Sequence, residues 1–421
     1  DLARIARAAL VVASPGVPPG APPLAAARAA GVAIVSEIEV ALHYLPGLRY
    51  IAITGTNGKT TTTALVAHLL RALGHAADDF GNIGTPLSDL AALRLDPPPA
   101  ERVVRPIPDW VALELSSFQL HDTPSVDPTV GVVTNLSPDH LDRYDSLDAY
   151  YGDKARLFAN AHAGSRWVLN GDEPEVLTLH ARLGDSRGSG GAGRAPLAGE
   201  LATFSLRDHH ASAYFDRRGD ALCVLGEPLL PRRDLALLGD HNVANALAAA
   251  LAVMVADPAH RTAEARQRIA EGLRGFRALE HRMEPVGSHG GVEWINDSKA
   301  TNVSSTLVAV QGMTRPYVLL LGGRHKGEPY TALAEPFRRH GRVVLAYGEA
   351  APLVERDLGG LVPVERLGSS FEEVVARARA LARPGDAVLL SPACSSYDMF
   401  RNYAERGAAF RRLAAEATPR A

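Results

Sequence analysis

Residues 51–70, "IAITGTNGKTTTTALVAHLL", restrict the possible folds of this chain more than any other stretch. An apolar run ending at Ile53 passes into "GTNGKT" (residues 55–60), and Leu65, Val66, Leu69, Leu70 and Leu73 then recur at helical spacing. The pattern predicts a strand, a tight glycine turn and a helix. Glycines let the backbone curl so that successive N–H groups point inward, and the helix N-terminus adds partial positive charge. The expected ligand is therefore a nucleotide phosphate. Gly55, Thr56, Asn57, Gly58 and Thr61 would form the cradle, Lys59 would reach the β- and γ-phosphates, and Thr60 would place its hydroxyl on Mg²⁺. Only Thr56 and Asn57 separate the two glycines, where the common phosphate loop has about four residues.

The 421 residues allow two or three domains. "YIAIT", "WVALEL", "VGVVTNL" and "RWVLN" alternate with helical stretches, which predicts an α/β fold with a parallel sheet. A further α/β series starts near residue 279 and includes "YVLLLGG", "RVVLAYG" and "DAVLLSPA". Residues 1–46 read as half an α/β unit: a strand-like run, a Pro/Gly turn, an Ala-rich helix and a second strand-like run. The expected division is thus 1–46, 47–278 and 279–421. Residues 184–200 are Gly/Ser-rich and read as a surface loop. A net charge of -3 gives no footprint for nucleic acid or a membrane surface, so phosphate binding must be local. Cys223 and Cys394 are too few for a disulfide framework, which favours the cytoplasm. No apolar run approaches the roughly 20 residues of a membrane span.

Three further features follow the phosphate loop. Glu114 ends the apolar run of "WVALEL", and ligands of open α/β sheets bind beyond the carboxyl ends of strands. It is expected as a Mg²⁺ ligand, the alternative being a structural pair with an arginine. "NLSPDHLDRY" offers Asp139, His140 and Asp142, but Mg²⁺ prefers oxygen, so His140 reads from its residue type as a capping or hydrogen-bonding group. Lys154, in "YYGDKARLFAN", reads by itself as a solvated helix lysine.

Taken together, "GTNGKT", "GNIG", "ELSSFQL", "NLSPDHLDRY", "HNVANALAA" and "NDSKATN" resemble, in order, the motifs of the Mur ligase superfamily of ATP-dependent amide-forming enzymes. "NDSKATN", "LLLGGRHKG" and "SPACSSYDMF" resemble the branch that adds D-glutamate to UDP-N-acetylmuramoyl-L-alanine. The resemblance implies three domains: a partial N-terminal Rossmann-like domain for the uridine substrate, a central P-loop ATPase-type domain and a C-terminal Rossmann-like domain. It also implies ATP, two Mg²⁺ sites with Mn²⁺ as an alternative, and a monomer. The superfamily's first domain begins with its own glycine-rich turn, and only the later half of that domain is expected here.

Residue roles carry over by motif. The resemblance makes Lys59, Glu114, His140 and Lys154 catalytic, and it makes Thr60, Glu114, His140 and carbamylated Lys154 metal ligands. It assigns Asn242 and Asn245 to adenine, although their spacing alone suggests polar helix surface. Arg282, Asp297 and Lys299 match nucleotide contacts. Ser14, Asn82, Ser116 and Gln119 match the muramoyl side, and Thr301, Lys326, Ser396, Tyr397 and Tyr403 the amino-acid side or its rim. A lysine and hydroxyls suit a dicarboxylate, which needs charge-assisted donors. The alternatives are another amide ligase, such as a folylpolyglutamate synthase-like enzyme, and a nucleotide-binding regulator without catalysis.

Overall fold

Tyr50–Thr54 forms the strand that leads into the glycine turn, and all five residues are buried. It pairs in parallel with Trp110–Glu114 on one side and Val130–Val133 on the other. A strand covered on both faces carries a continuous apolar run, as this one does, and each fully buried Val, Leu or Ile contributes about 1.5–3 kcal/mol. The helix Lys59–Ala72 follows the turn and buries Leu65, Leu69 and Leu70 completely.

The computed structural model describes residues 2–14, 17, 20–95, 107–139, 143–183 and 196–416. The chain forms two units, one of residues 1–138, 143–236 and 242–276, the other of residues 139–142, 237–241 and 277–421. The first holds a nine-stranded sheet. Its central strands run in the order Arg166–Asn170, Val130–Val133, Tyr50–Thr54, Trp110–Glu114, Ala77–Gly81, all parallel. The chain leaves Tyr50–Thr54 toward one side and later returns to its other side, so a crevice opens beyond the carboxyl ends of these strands. Ala213–Asp216, Ala221–Val224 and Glu227–Pro231 extend the sheet, with antiparallel pairing among themselves. Short strands of this kind between polar turns gave no signal in the apolar pattern.

Val11–Ala13 and Ile34–Ser36 form a separate parallel pair. The second strand-like run forms the strand Ile34–Ser36. It stops at Ser36, whose hydroxyl accepts from Glu39 N at 3.1 Å and caps the helix Glu37–Tyr44. Within the predicted surface loop, residues 184–195 lie outside the described residues, and Glu200 already opens a strand.

The second unit holds a six-stranded sheet, ordered Glu284–His289, Val292–Asn296, Ala387–Leu390, Tyr317–Gly322, Gly341–Tyr347, Val364–Arg366. All neighbours are parallel except the first pair. "NDSKATN", "SPACSSY" and "GGRHKG" therefore leave from the carboxyl ends of three adjacent strands. No described helix is long and apolar enough to cross a membrane.

Candidate active site

The glycine turn is fixed by the segment that follows Val130–Val133. Asn57 N donates to Asn135 Oδ1 at 2.8 Å, and Asn135 Nδ2 and Thr134 Oγ1 donate back to Asn57 O at 2.8 and 2.6 Å. Thr56 Oγ1 donates to Ser137 O and accepts from Ser137 N, both at 3.0 Å. Two loops at neighbouring strand ends thus hold each other. Gly55 (φ 139°) and Gly58 (φ 80°) adopt backbone conformations that other residues rarely do, and a Cβ would collide with Thr134 Oγ1 at the first and Asn245 Oδ1 at the second. Lys59 Nζ donates to Gly55 O at 3.0 Å and Thr56 O at 2.7 Å, so its ammonium lies against the loop it was expected to serve. Thr60 follows it in the first turn of the helix, and Thr61 is buried.

Glu114 ends its strand as expected and is 2% exposed. Oε1 accepts from Asn82 Nδ2 at 2.8 Å, while Oε2 is buried with no hydrogen-bond partner among the described residues. The arginine pair weighed for Glu114 does not occur among the described residues; its partner is an amide. A buried carboxylate oxygen without a donor is costly unless a cation completes it, and hard divalent cations take oxygen ligands. The donor set beside the phosphate loop thus fits Mg²⁺. His140 and Asp142, like residues 15 and 16 of "SPG", lie outside the described residues.

Ser116 and Gln119 form a capping box at the start of Ser117–His121: Ser116 Oγ accepts from Gln119 N at 3.2 Å, and Gln119 Oε1 accepts from Ser116 N at 3.0 Å. Ser14 and Gln119 line one open cleft, together with Ser36, Phe118, His121 and Asp153. His121 Nδ1 and Asp153 Oδ1 are 2.7 Å apart, and this contact holds the imidazole pKa above its usual value.

Lys154 is not on a solvated face. It is 1% exposed, its Nζ donates to Gly55 O at 2.7 Å, and it stands over the Tyr150 ring at 4.6 Å. Lys59 and Lys154 therefore share one carbonyl of the phosphate loop. Asn242 and Asn245 are likewise buried rather than on a polar helix surface. Asn245 Nδ2 donates to Asn242 Oδ1 at 3.1 Å, and Asn245 Oδ1 accepts from Thr62 Oγ1 at 3.3 Å. The helix Asp240–Ala256 is almost wholly buried, so its asparagines turn toward the phosphate-loop helix rather than water.

In the second unit, Asp297 accepts from Ser391 Oγ at 2.8 Å and from Met283 N at 3.2 Å. Burial pushes its carboxyl up to about 7, opposed by those bonds and by Arg282 and Arg406. Lys299 Nζ stands 3.8 Å from the Tyr403 ring centre, a cation–π pair of two residues to which the motifs give different roles. Lys326 Nζ donates to Thr301 Oγ1 at 3.4 Å. Glu328 nearby is pushed up to about 7 by burial and by Asp139. Asp139 itself accepts from Asn302 Nδ2 at 2.8 Å. Ser396 is buried, whereas Tyr397 is 65% exposed.

Sequence reasoning missed Thr134, Asn135, Tyr150, Ser298 and Arg406. Asn135 stood inside a motif already singled out, directly after a strand. Arg406 carried no signal, because an arginine in an amphipathic helix is ordinarily at the surface.

Comparison with known proteins gives a consistent result. Residues 53–253 match the Mur ligase middle domain, and residues 281–394 match the Mur ligase glutamate ligase domain. The chain is 42% identical over 430 residues to the UDP-N-acetylmuramoylalanine--D-glutamate ligase of Anaeromyxobacter dehalogenans, covering 99% of this chain and 86% of that one. It is 42% identical over 411 residues to the enzyme of the same name from Myxococcus xanthus, covering 96% and 83%. Among solved structures, MurF from Acinetobacter baumannii superposes with a TM-score of 0.64 at 16% identity, over 90% of this chain and 79% of that one, which is a likeness of fold.

Proposed function

The chain belongs to the Mur ligase family, and we propose that it joins D-glutamate to UDP-N-acetylmuramoyl-L-alanine with cleavage of ATP to ADP and phosphate. The observation that carries this reading is the collinear match to D-glutamate ligases across 99% of the chain, second-unit motifs included. Its place is peptidoglycan precursor synthesis, and a cytoplasmic monomer suits the reading.

Amide formation from a carboxylate needs a leaving group, because a carboxylate oxygen leaves poorly and its charge repels a nucleophile. A carboxylate oxygen of the L-alanyl group attacks the γ-phosphorus, the bond to ADP breaks, and an acyl phosphate forms. The amine of D-glutamate attacks the acyl carbon, the tetrahedral intermediate collapses, phosphate leaves and the nitrogen loses a proton. The protein acts by positioning and charge neutralisation, with no covalent nucleophile. The N–H groups of the glycine turn and Lys59 hold the phosphates in line. Asn242 and Asn245 hold adenine, and Arg282, Asp297 and Lys299 are nucleotide contacts by motif. Asn82, Ser116, Gln119 and Ser14 face the muramoyl substrate. Thr301, Lys326, Ser396 and Tyr403 hold the two carboxylates of D-glutamate.

Mg²⁺, when bound, neutralises the charge that develops on the phosphoryl oxygens. Thr60, Glu114, His140 and Lys154 would hold it at two sites, with Mn²⁺ as a substitute. A carbamate on Lys154 would turn a buried cation into an anionic oxygen donor, in keeping with a side chain excluded from water beside Gly55 O. The test is phosphate release with each substrate omitted in turn, followed by an amino-acid panel. Release should require all three substrates. Preference for meso-diaminopimelate, L-lysine or a folate would overturn the reading.

A further inference from the structure

Arg406 lies on the helix Tyr403–Ala415 and is 1% exposed, yet among the described residues it has no carboxylate within ion-pair distance. Its guanidinium donates four hydrogen bonds to two loops. Nε donates to Ser298 Oγ at 2.9 Å and Nη2 to Ser298 O at 2.8 Å. Nη1 and Nη2 both donate to Cys394 O at 3.2 Å. Cys394 in turn reaches a third loop: its Sγ lies 3.0 Å from Tyr330 Oη, which lies 2.8 Å from His325 Nδ1. The next residue, Ser395, exchanges backbone hydrogen bonds with Arg324 at 3.0 and 2.9 Å. Ser298, Cys394 and Arg324 are thus tied into one cluster around a single guanidinium.

These loops carry the residues assigned above to substrate. Ser298 stands between Asp297 and Lys299 and shortly before Thr301, Cys394 precedes Ser396, and Arg324 precedes Lys326. We infer that Arg406 is a positioning residue that holds the three amino-acid-side loops in one register, so that their donors meet D-glutamate together. This inference rests on the D-glutamate reading. A guanidinium suits the task because its planar fork offers five donors in fixed directions and can span a hydroxyl and two carbonyls. A lysine ammonium would keep the charge but not the span. Water does not reach the guanidinium to replace a lost bond. Loss of the fork therefore frees the Ser298 loop from the Cys394 loop, which the Ser395–Arg324 backbone bonds still tie to the third.

The test uses the full chain as wild type, Arg406→Lys and Ser298→Ala. Steady-state constants for each substrate, thermal unfolding and hydrogen exchange of residues 297–301, 322–328 and 393–396 are measured on all three. In Arg406→Lys, kcat/KM for D-glutamate should fall about 30- to 100-fold, since a misplacement of about 1 Å can cost about 10²-fold. Ser298→Ala loses the hydroxyl that accepts from Arg406 Nε at 2.9 Å and donates to Tyr403 O at 2.8 Å, and kcat/KM should fall about threefold to tenfold, while KM for the uridine substrate should stay within about twofold in both. Exchange should rise together in residues 297–301 and 393–396, the two segments that the guanidinium bridges. A purely structural arginine would lower the unfolding temperature while leaving the kinetic constants of the folded protein and the exchange pattern unchanged, and that result overturns the inference. Should Arg406→Lys fail to fold, Ser298→Ala decides by the same readouts. If wild type does not use D-glutamate, the functional reading fails, and the exchange pattern still decides whether Arg406 couples the loops.

Discussion

Asn82 Nδ2 and Glu114 Oε1 are 2.8 Å apart, and this bond holds the Glu114 carboxylate so that its other oxygen is buried without a donor among the described residues. Replacement by Glu114→Gln keeps the shape and removes the charge. Activity should fall about 10²- to 10³-fold, the scale of losing one preorganised electrostatic contact at a reacting centre. The unfolding temperature should not drop, because an uncompensated buried charge is removed with it. Steady-state kinetics across a Mg²⁺ titration, beside calorimetry, separates the two effects; a large fall in stability with unchanged Mg²⁺ dependence contradicts the metal assignment.

Lys154 donates to Gly55 O from a site closed to water. Lys154→Arg keeps a cation but cannot take up carbon dioxide as a carbamate. Ligation should be lost in this variant at all bicarbonate concentrations, while wild-type protein stripped of carbon dioxide should regain activity when bicarbonate is added. Wild-type activity that is indifferent to bicarbonate after stripping, with no carbamate carbon visible by NMR, counts against the modification.

Gly55→Ala and Gly58→Ala each place a Cβ on backbone of positive φ against a neighbour that cannot easily yield. Each should destabilise the first unit by about 1–3 kcal/mol. ATP affinity should fall more than stability, since the loop must distort where it faces phosphate. Nucleotide titration and thermal unfolding of the same samples give both numbers.

Burial raises the Asp297 carboxyl to about 7. The folded state then binds a proton that the unfolded state, titrating near about 3.9, has already lost. Its contribution to stability is full at low pH and is lost as pH rises from about 4 to about 7. Asp297→Asn removes this slope. The difference in unfolding free energy between wild type and variant, measured across that window, should move against wild type as pH rises; a flat difference rejects the assigned ionisation.

Much of this was legible in the residues. The glycine spacing of residues 55–60, the apolar run before it and the helical period after it are local patterns, and the nearest neighbours along the chain suffice to make a strand, a turn and a helix. The second strand-like run forms Ile34–Ser36 and ends for an equally local reason, the Ser36 hydroxyl that caps the next helix.

What the sequence determined by itself was the kind of sheet, the strand–glycine turn–helix and the family, because each depends on short-range periodicity or on motifs in order. The tertiary structure alone decided the states of the side chains. Lys154 stands 99 residues from the carbonyl it binds, Asn245 stands 183 from Thr62, and Arg406 stands 108 from Ser298. Exposure and hydrogen bonding of a polar group depend on which distant elements pack over it. For that reason the lysine and asparagines that read as surface residues are buried, and the arginine that read as nothing in particular ties the Ser298 loop to the Cys394 loop.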